Sequence, residues 1–170
     1  MTDTAEIQVE IMKHTNLRIY LAHGDDAERD VIVATLNLLS HSVKLSTDSS
    51  AVFKRRCMED PPDLAVVGTD LAGEDTFSVA DEVADLGTCP VVVYIRREDI
   101  DRSHRLLRNE VTGVLVQPAT ELDWRPALYL ACRRWEQSAR LGEEAERLKR
   151  EIDAIDAGHF PSGEIDAEGR

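Results

Sequence analysis

The side chains that could do chemistry lie in two short segments, each of which follows an apolar run. His23, Asp25 and Asp26 come directly after one run, and Asp70 and Asp75 follow another. Carboxylates are the ligands that hard divalent cations prefer, and an aspartate can also serve as a covalent nucleophile that accepts a phosphoryl group. If the fold brings the two segments together, a metal or phosphoryl site is an alternative to the more common role of such carboxylates as helix caps and solvated loop residues.

Other chemistries have little support in the sequence. No nucleophile or second base accompanies His23 and Asp25 by spacing, so a loop histidine without a catalytic role is favoured. No GxGxxG or P-loop pattern follows the first apolar run, which gives nucleotide binding no support. The cysteines at 57, 89 and 132 lack CxxC or ligand spacing and are expected to be structural free thiols. The sequence therefore predicts no metal site, no cofactor and no enzymatic activity.

Five short apolar runs, bounded by turn-forming residues, are typical of strands buried on both faces of a parallel sheet. They occupy residues 17–22, 42–45, 64–67, 89–95 and 111–116. Stretches with helical spacing separate them. Asp25 or Asp26 is the expected cap of the first helix, and Asp48, Ser49 or Ser50 that of the second.

The remaining helices are predicted at 78–86, at 96–110 and from about 121 onward. In the first helix, the apolar positions that recur at helical spacing include Val31, Leu36 and Leu38. Alternating strands and helices need right-handed crossovers, so the prediction is a doubly wound α/β fold with a five-stranded parallel sheet. Loops that follow its strands lie at the carboxyl edge of the sheet, where the two acidic segments should meet.

The last predicted helix has no obvious stop before Gly158. From residue 141 its apolar residues recur at spacings of four, three, four and three, as in the a/d seam of a coiled coil. These seam residues are Leu141, Ala145, Leu148, Ile152 and Ile155. The phase does not continue into Arg134 and Ser138, so a stutter or bend is expected near Gly142. Two heptads are short for an independent coiled coil, so pairing with a second chain and folding back onto the same chain both remain open.

The chain is therefore divided into four predicted segments. Residues 1–16 form a polar leader, 17–136 the α/β domain, 137–157 the helical and coiled-coil extension, and 158–170 an acidic, disordered tail. With 42% hydrophobic residues, the 170-residue chain can build one aliphatic core of ordinary size.

Net charge and hydropathy indicate the class of partner. A net charge of −13 disfavours non-specific nucleic-acid binding, which needs clustered basic residues. No apolar stretch approaches the ~20 residues of a membrane span, and the N-terminus lacks a signal-peptide core. These features predict a cytoplasmic protein that binds other proteins rather than nucleic acid or membranes.

Residues 17–136 resemble the receiver domain of response regulators, a CheY-like (flavodoxin-like) fold with strand order 2-1-3-4-5. The stretch PPDLAVVGTDLAGEDTF, which begins at Pro61, is similar to the family's third strand and loop; CPVVVYI is similar to the fourth strand, and GVLVQPATELDWRPAL to the fifth strand and the following helix. The continuation ALYLACRRWEQSARLGEEAERLKREI resembles the helical connector of receiver–ANTAR antitermination regulators. The resemblance implies a role in two-component signal transduction.

The sequence departs from this family at every position that carries phosphotransfer. A receiver holds magnesium with an acidic pair after strand one, and here the pair falls on His23 and Gly24. The phosphate-accepting aspartate falls on Gly68, the hydroxyl after strand four on Ile95, and the lysine after strand five on Gln117. A carboxylate nucleophile, a cation and a lysine are what phosphoryl transfer to such a site requires. The resemblance thus implies a degenerate pseudo-receiver that is not phosphorylated and acts through protein contacts and homodimerisation.

Two alternatives stay open beside this interpretation. Asp25 and Asp70 could form a displaced magnesium or phosphoryl site, although capped and solvated loop carboxylates are more common. The helical arm could bind RNA, but basic and acidic residues are equal in number from Arg133 to Asp153, which is typical of a solvated helix face. A further set of residues, aromatic residues on the last helix, is expected either at an interface or in the core: Trp124, Tyr129 and Trp135.

Overall fold

The computed structural model describes residues 15–104 and 110–158. Almost all of the predicted leader and almost all of the predicted tail lie outside these residues. The chain forms two compact units, Met1–Trp135 and Glu136–Arg170. No helix within the described residues is long and apolar enough to cross a membrane.

The first unit is built on a five-stranded sheet in which every neighbouring pair of strands is parallel. The strands are β1 (Arg18–Ala22), β2 (Ser42–Thr47), β3 (Leu64–Val67), β4 (Val91–Ile95) and β5 (Gly113–Val116). Their spatial order is β2-β1-β3-β4-β5, which confirms the predicted order. Every residue of β3 and of β4 is buried, as expected for central strands covered on both faces.

Helices alternate with these strands, and the first two begin at caps that the sequence predicted. They are α1 (Asp26–Leu38), α2 (Ser50–Glu59), α3 (Thr76–Asp85), α4 (Ile100–Ser103) and α5 (Glu121–Asp156). The Asp25 carboxylate accepts the Glu28 N–H at 2.8 Å, and the Ser49 hydroxyl accepts the Val52 N–H at 3.3 Å. Each cap satisfies a donor that the first turn of its helix leaves unpaired.

Two apolar layers, one on each face of the sheet, make the core. On one face, Leu21 and Val66 pack with Leu36 of α1 and Leu128 of α5. On the other face, the cluster joins strand residues to helices α2 and α3: Tyr20, Val67, Val93, Phe53, Cys57, Val79 and Val83. Helices thus cover both faces, and the doubly wound architecture is confirmed.

Two details of the helices differ from expectation. In α1, Ile32 and Leu36 are buried, whereas Val31 and Leu38 are 64% and 70% exposed, because a helix lying on a sheet buries only one of its stripes. The segment predicted as one helix over 96–110 starts instead with a 3₁₀ turn, Arg97–Asp99, followed by α4. Residues 105–109 of that prediction lie outside the described part of the chain.

The last helix, α5, is uninterrupted from Glu121 to Asp156, and Pro126 lies in its second turn. The helical hydrogen bonding passes through Gly142 without a break, so the expected stutter does not interrupt the helix. The helix ends before Gly158, which has a positive φ of 75° and is therefore a natural stop.

Candidate functional site

The carboxyl edge of the sheet brings together the residues that the sequence singled out. His23 and Gly24 extend β1, Gly68 extends β3, and Gln117 extends β5. Backbone hydrogen bonds hold these extensions in register: Gly68 N–H donates to Ala22 O at 2.7 Å, and Gln117 N–H to Ile95 O at 2.7 Å. The edge rule for parallel sheets therefore placed the candidate residues correctly.

The imidazole of His23 fills the centre of this edge. The side chain is fully buried, and its Nδ1 accepts the backbone N–H of Asp25 at 3.1 Å. Its Nε2 lies 3.0 Å from Oε2 of Glu28, close enough for an ion pair but not aligned as a hydrogen bond. Because Nδ1 is an acceptor, the neutral ring carries its proton on Nε2, on the side of the carboxylate.

Burial lowers the pKa of His23 below its ordinary value. The negative charges of Glu28, Asp70 and Asp25 oppose this shift without overcoming it. The ring is therefore held as a neutral, packed side chain near pH 7, which suits a spacer better than an acid or base.

Gly68 is the residue that makes room for this ring. A Cβ built on Gly68 would lie 2.2 Å from Cδ2 and 2.9 Å from Cγ of His23. No side chain can occupy position 68 while the imidazole stays where it is. The resemblance places a phosphate-accepting aspartate at position 68. In this chain that position has no side chain, and the imidazole of His23 fills the space that one would enter.

Gly24 is constrained in the same way from the opposite loop. A Cβ on Gly24 would lie 1.6 Å from the carbonyl oxygen of Asp70, so only glycine fits against this backbone. Asp70 itself adopts a positive φ of 60°, and Gly24 N–H donates to Thr69 O at 2.8 Å. The loop after β3 therefore lies directly on the position that would carry one of the magnesium-binding acids.

The acidic residues at this edge are all engaged by partners within the chain. Asp25 caps α1, as described above, and Asp70 forms an ion pair with Arg96. Asp75 accepts from Arg102 at 2.9 Å. Across residues 15–104 and 110–158, no three histidine, cysteine or acidic side chains converge as metal ligands would.

At the two remaining positions that the resemblance assigns to phosphotransfer, contacts within the chain hold the side chains. Ile95 is fully buried in the apolar layer formed with α2 and α3. Gln117 points its amide back into the edge, where Nε2 donates to Thr69 Oγ1 at 3.3 Å and to Tyr94 O at 3.4 Å. An amide there tethers the β3 loop to β4 and supplies no cation.

The loop after β3 is held at further points. Thr76 Oγ1 donates to Gly68 O at 2.9 Å, and this bond is buried. Lys54 on α2 contacts Glu74 in the loop and Glu82 on α3, each at 2.8 Å. These contacts cross-link three elements and hold the loop against the edge.

Sequence reasoning missed the cations that neutralise this edge. Arg96 follows β4 directly, and Arg29 on α1 donates to His23 O at 2.6 Å. Arg96 could have been anticipated, because any residue that follows a parallel strand lies at the carboxyl edge. Nothing in the spacing of Arg29 indicated that its side chain would reach back to β1.

Comparison with known proteins identifies the architecture. No family model and no curated protein matches the sequence. Among solved structures, the signal receiver domain of a modulated diguanylate cyclase from Desulfovibrio desulfuricans G20 superposes with a TM-score of 0.65 at 18% identity, covering 72% of this chain and 98% of that one. A response regulator receiver domain protein from Clostridium thermocellum gives 0.64 at 17% identity, covering 71% and 97%. The chain has the receiver fold.

Another match covers a larger share of this chain. It is a fusion that contains a trimeric coiled-coil segment of yeast Spc42, with a TM-score of 0.66 at 16% identity, covering 84% of this chain and 95% of that one. All these identities are low, so the matches establish the fold, which is CheY-like, and the residues of the edge must decide the chemistry.

The residues expected at an interface fall into two groups. Trp124 is 1% exposed and stacks on Tyr94, with ring centroids 5.2 Å apart, so the core alternative accounts for it. Tyr129 and Trp135 are partly buried. The seam residues of α5 are exposed, with Leu141 at 67% and Ile152 at 58%.

The steric exclusion between His23 and position 68 predicts strong thermodynamic coupling. Gly68→Ala should lower the free energy of unfolding by about 1–3 kcal/mol, because the new Cβ overlaps the imidazole. In a His23→Ala background most of that cost should disappear. Urea denaturation of the four proteins in this double-mutant cycle gives the coupling energy.

Gly142→Ala is the matched control for this cycle, because a Cβ there meets no atom within 4 Å. It should stabilise the helix by about 0.5–1 kcal/mol in either background. Equal costs of Gly68→Ala with and without the imidazole would contradict the packing described here.

The buried state of His23 also predicts how stability depends on pH. Its folded pKa is lowered, so the unfolded chain binds the proton first as pH falls below about 6.5. The stability that the neutral ring provides is present above that pH and is lost as pH falls toward the folded pKa. Burial lowers the pKa of His41 as well, so titration by NMR should resolve each ring. A His23 pKa at or above the ordinary value would refute this account.

Proposed function

We propose that this protein is a receiver-like signalling component that is not phosphorylated and that acts by binding other proteins, including a second copy of itself. The observation that carries the proposal is the imidazole of His23, whose Cδ2 would lie 2.2 Å from a Cβ at position 68. In this fold, that position is where a phosphate-accepting side chain would stand.

The surrounding contacts support loss of phosphotransfer rather than its displacement. A carboxylate that attacks phosphorus must approach in line and within ångström tolerances. Asp70 is paired with Arg96, and Asp25 accepts a backbone N–H of α1, so each is committed to a structural contact. Charge balance at this edge comes from arginine side chains, which leaves little need for a bound cation.

The same contacts support a domain that stays in one conformation. A receiver switches when a new phosphoryl group is bound by a cation, a hydroxyl and a lysine. Here Ile95 and Gln117 replace the last two, and both are packed into the protein. A bound group shifts the population of conformations only if it interacts differently with two of them. Without such a group the domain keeps one conformation, so the surface presented to partners is constant.

Self-association is supported by the exposed seam of α5. Leu141, Leu148, Ile152 and Ile155 are between 46% and 67% exposed and repeat with coiled-coil spacing. Covering such a row of apolar side chains with a second helix removes them from water and stabilises the pair of helices.

Incubation with a small-molecule phosphodonor and magnesium tests the loss of phosphotransfer. Intact mass spectrometry should show no phosphoryl adduct, because the acceptor position has no nucleophile and no space. A phosphorylatable receiver treated in parallel serves as the positive control. An adduct that disappears in Asp70→Ala would instead establish a displaced site at Asp25 and Asp70.

The solution mass of the full chain tests self-association. Sedimentation equilibrium should give a dimer for the full chain and a monomer for a chain that ends after Glu136. The truncated chain keeps every strand and every core residue of the sheet unit, and its circular dichroism and unfolding transition serve to check that it is folded. A dimer that survives truncation would assign the interface to the receiver surface instead.

A further inference from the structure

The helical extension carries a heptad register that specifies how a partner helix can lie. The d positions of this register carry leucine or isoleucine, namely Leu141, Leu148 and Ile155. The a positions carry alanine or isoleucine, namely Ala145 and Ile152. All five lie within the uninterrupted helix α5 and are exposed. This register determines which charged residues flank the seam.

The flanking positions carry opposite charges at the centre of the seam. Glu144 and Glu151 occupy the g positions, and Lys149 occupies the central e position. The first e position is Gly142, and the last is Asp156, the final residue of the helix. Positions e and g lie next to a partner helix in any two-stranded coiled coil, so their charges decide its orientation.

A parallel pair places opposite charges together. In that arrangement each g residue faces the e residue five positions later on the partner, so Glu144 meets Lys149 of the second chain, and two-fold symmetry repeats the pair. The same rule puts Glu151 near Asp156, but that pair of like charges falls at the last helical residue, where ends fray and solvent screens strongly.

An antiparallel pair places like charges together. There, g residues face g residues and e residues face e residues. Two antiparallel registers overlap the seam residues most fully. The first brings Glu144 against Glu151. The second brings Glu151 against Glu151 and Lys149 against Lys149. Like charges across a seam are destabilising, so the charge pattern selects against both.

We propose that two copies of this chain associate through residues 141–155 as a parallel, in-register, two-stranded coiled coil, with Glu144 of each helix paired to Lys149 of the other. The inference rests on the self-association proposed above and adds its orientation. Two of the three d positions are leucine and one of the two a positions is isoleucine, a combination that favours two strands, whereas the isoleucine at d position 155 does not follow this pattern.

Contacts within the helix are consistent with this arrangement. Arg147, at the outward c position, lies 3.9 Å from Glu144 and 3.8 Å from Glu151, and all three side chains are about 60% exposed. Such surface pairs contribute little and exchange easily with water. Glu144 can therefore turn to a lysine across the seam while its own helix keeps its backbone.

Charge reversal tests the orientation in the full-length chain. Glu144→Lys alone, or Lys149→Glu alone, should raise the dimer dissociation constant about tenfold, because two attractive pairs become repulsive. The double variant Glu144→Lys/Lys149→Glu should return to within about twofold of the original value, since the pairs are restored with exchanged partners. A mixture of the two single variants should form heterodimers in preference to either homodimer.

Matched controls separate this effect from a change in net charge. Glu143 and Arg150 both occupy the outward f position, so Glu143→Lys and Arg150→Glu carry the same charge changes away from the seam. Each control should leave the dissociation constant within about twofold of the original value. Helicity measured by circular dichroism checks that all variants keep α5.

An Ala145→Cys variant gives a second measurement that does not depend on weak electrostatics. In a parallel in-register dimer the two new thiols face each other and should form an interchain disulfide under mild oxidation. In either antiparallel register they lie beyond the ~7 Å Cα separation that a disulfide tolerates. Glu143→Cys, facing outward, should not cross-link, and the native Cys57 and Cys89 are buried.

The outcomes distinguish this inference from the proposal on which it rests. A full chain that is monomeric at high concentration would overturn both self-association and its orientation. A dimer that requires residues beyond 136 but tightens with Glu144→Lys, or fails to cross-link through Ala145→Cys, would keep self-association and overturn the parallel arrangement. A trimeric mass would overturn the two-stranded form.

Discussion

The structure depends on the fact that two side chains cannot occupy one volume. The ring of His23 lies where a side chain at position 68 would begin, and the bare backbone of Gly68 is what permits it. In the receiver fold this volume is the centre of the carboxyl edge, surrounded by the loops that follow β1, β3, β4 and β5. In this chain a buried neutral ring fills that volume and makes it an extension of the core.

Around this ring, an ion pair and hydrogen bonds hold the loops together. Arg96 holds Asp70, Arg29 holds the carbonyl of His23, and Gln117 holds Thr69. The ring also stands in an aromatic row, 6.1 Å from Tyr94, which stacks in turn on Trp124 of α5. The carboxyl edge is therefore continuous with the packing around Trp124 of α5, and side-chain contacts hold its loops to one another.

The sequence predicts features of this structure that depend on short stretches of residues better than features that depend on contacts between residues far apart in the chain. The bounds of β3 and the doubly wound parallel sheet follow from short apolar runs and the crossover rule, whereas the strand order was implied by the resemblance to receivers; all three were predicted correctly. In α1, by contrast, Ile32 with Leu36 and Val31 with Leu38 fit helical spacing equally well, and only the sheet beneath the helix selects the buried stripe. The vacancy at Gly68 could be read from the sequence; the residue that fills it could not, because His23 lies 45 positions earlier and its rotamer is set by tertiary contacts.

The close approach of Gly24 to the backbone of Asp70, whose carbonyl oxygen would lie 1.6 Å from a Cβ at position 24, links the loop after β1 to the loop after β3. A side chain at position 24 requires that the loop after β3 moves, and a side chain at position 68 requires that the ring at position 23 moves. Either glycine replaced on its own meets a clash, which lowers stability. Substitutions at positions 23, 24 and 68 are therefore coupled: a larger side chain at either glycine becomes tolerable only after a compensating change in the residue that it meets.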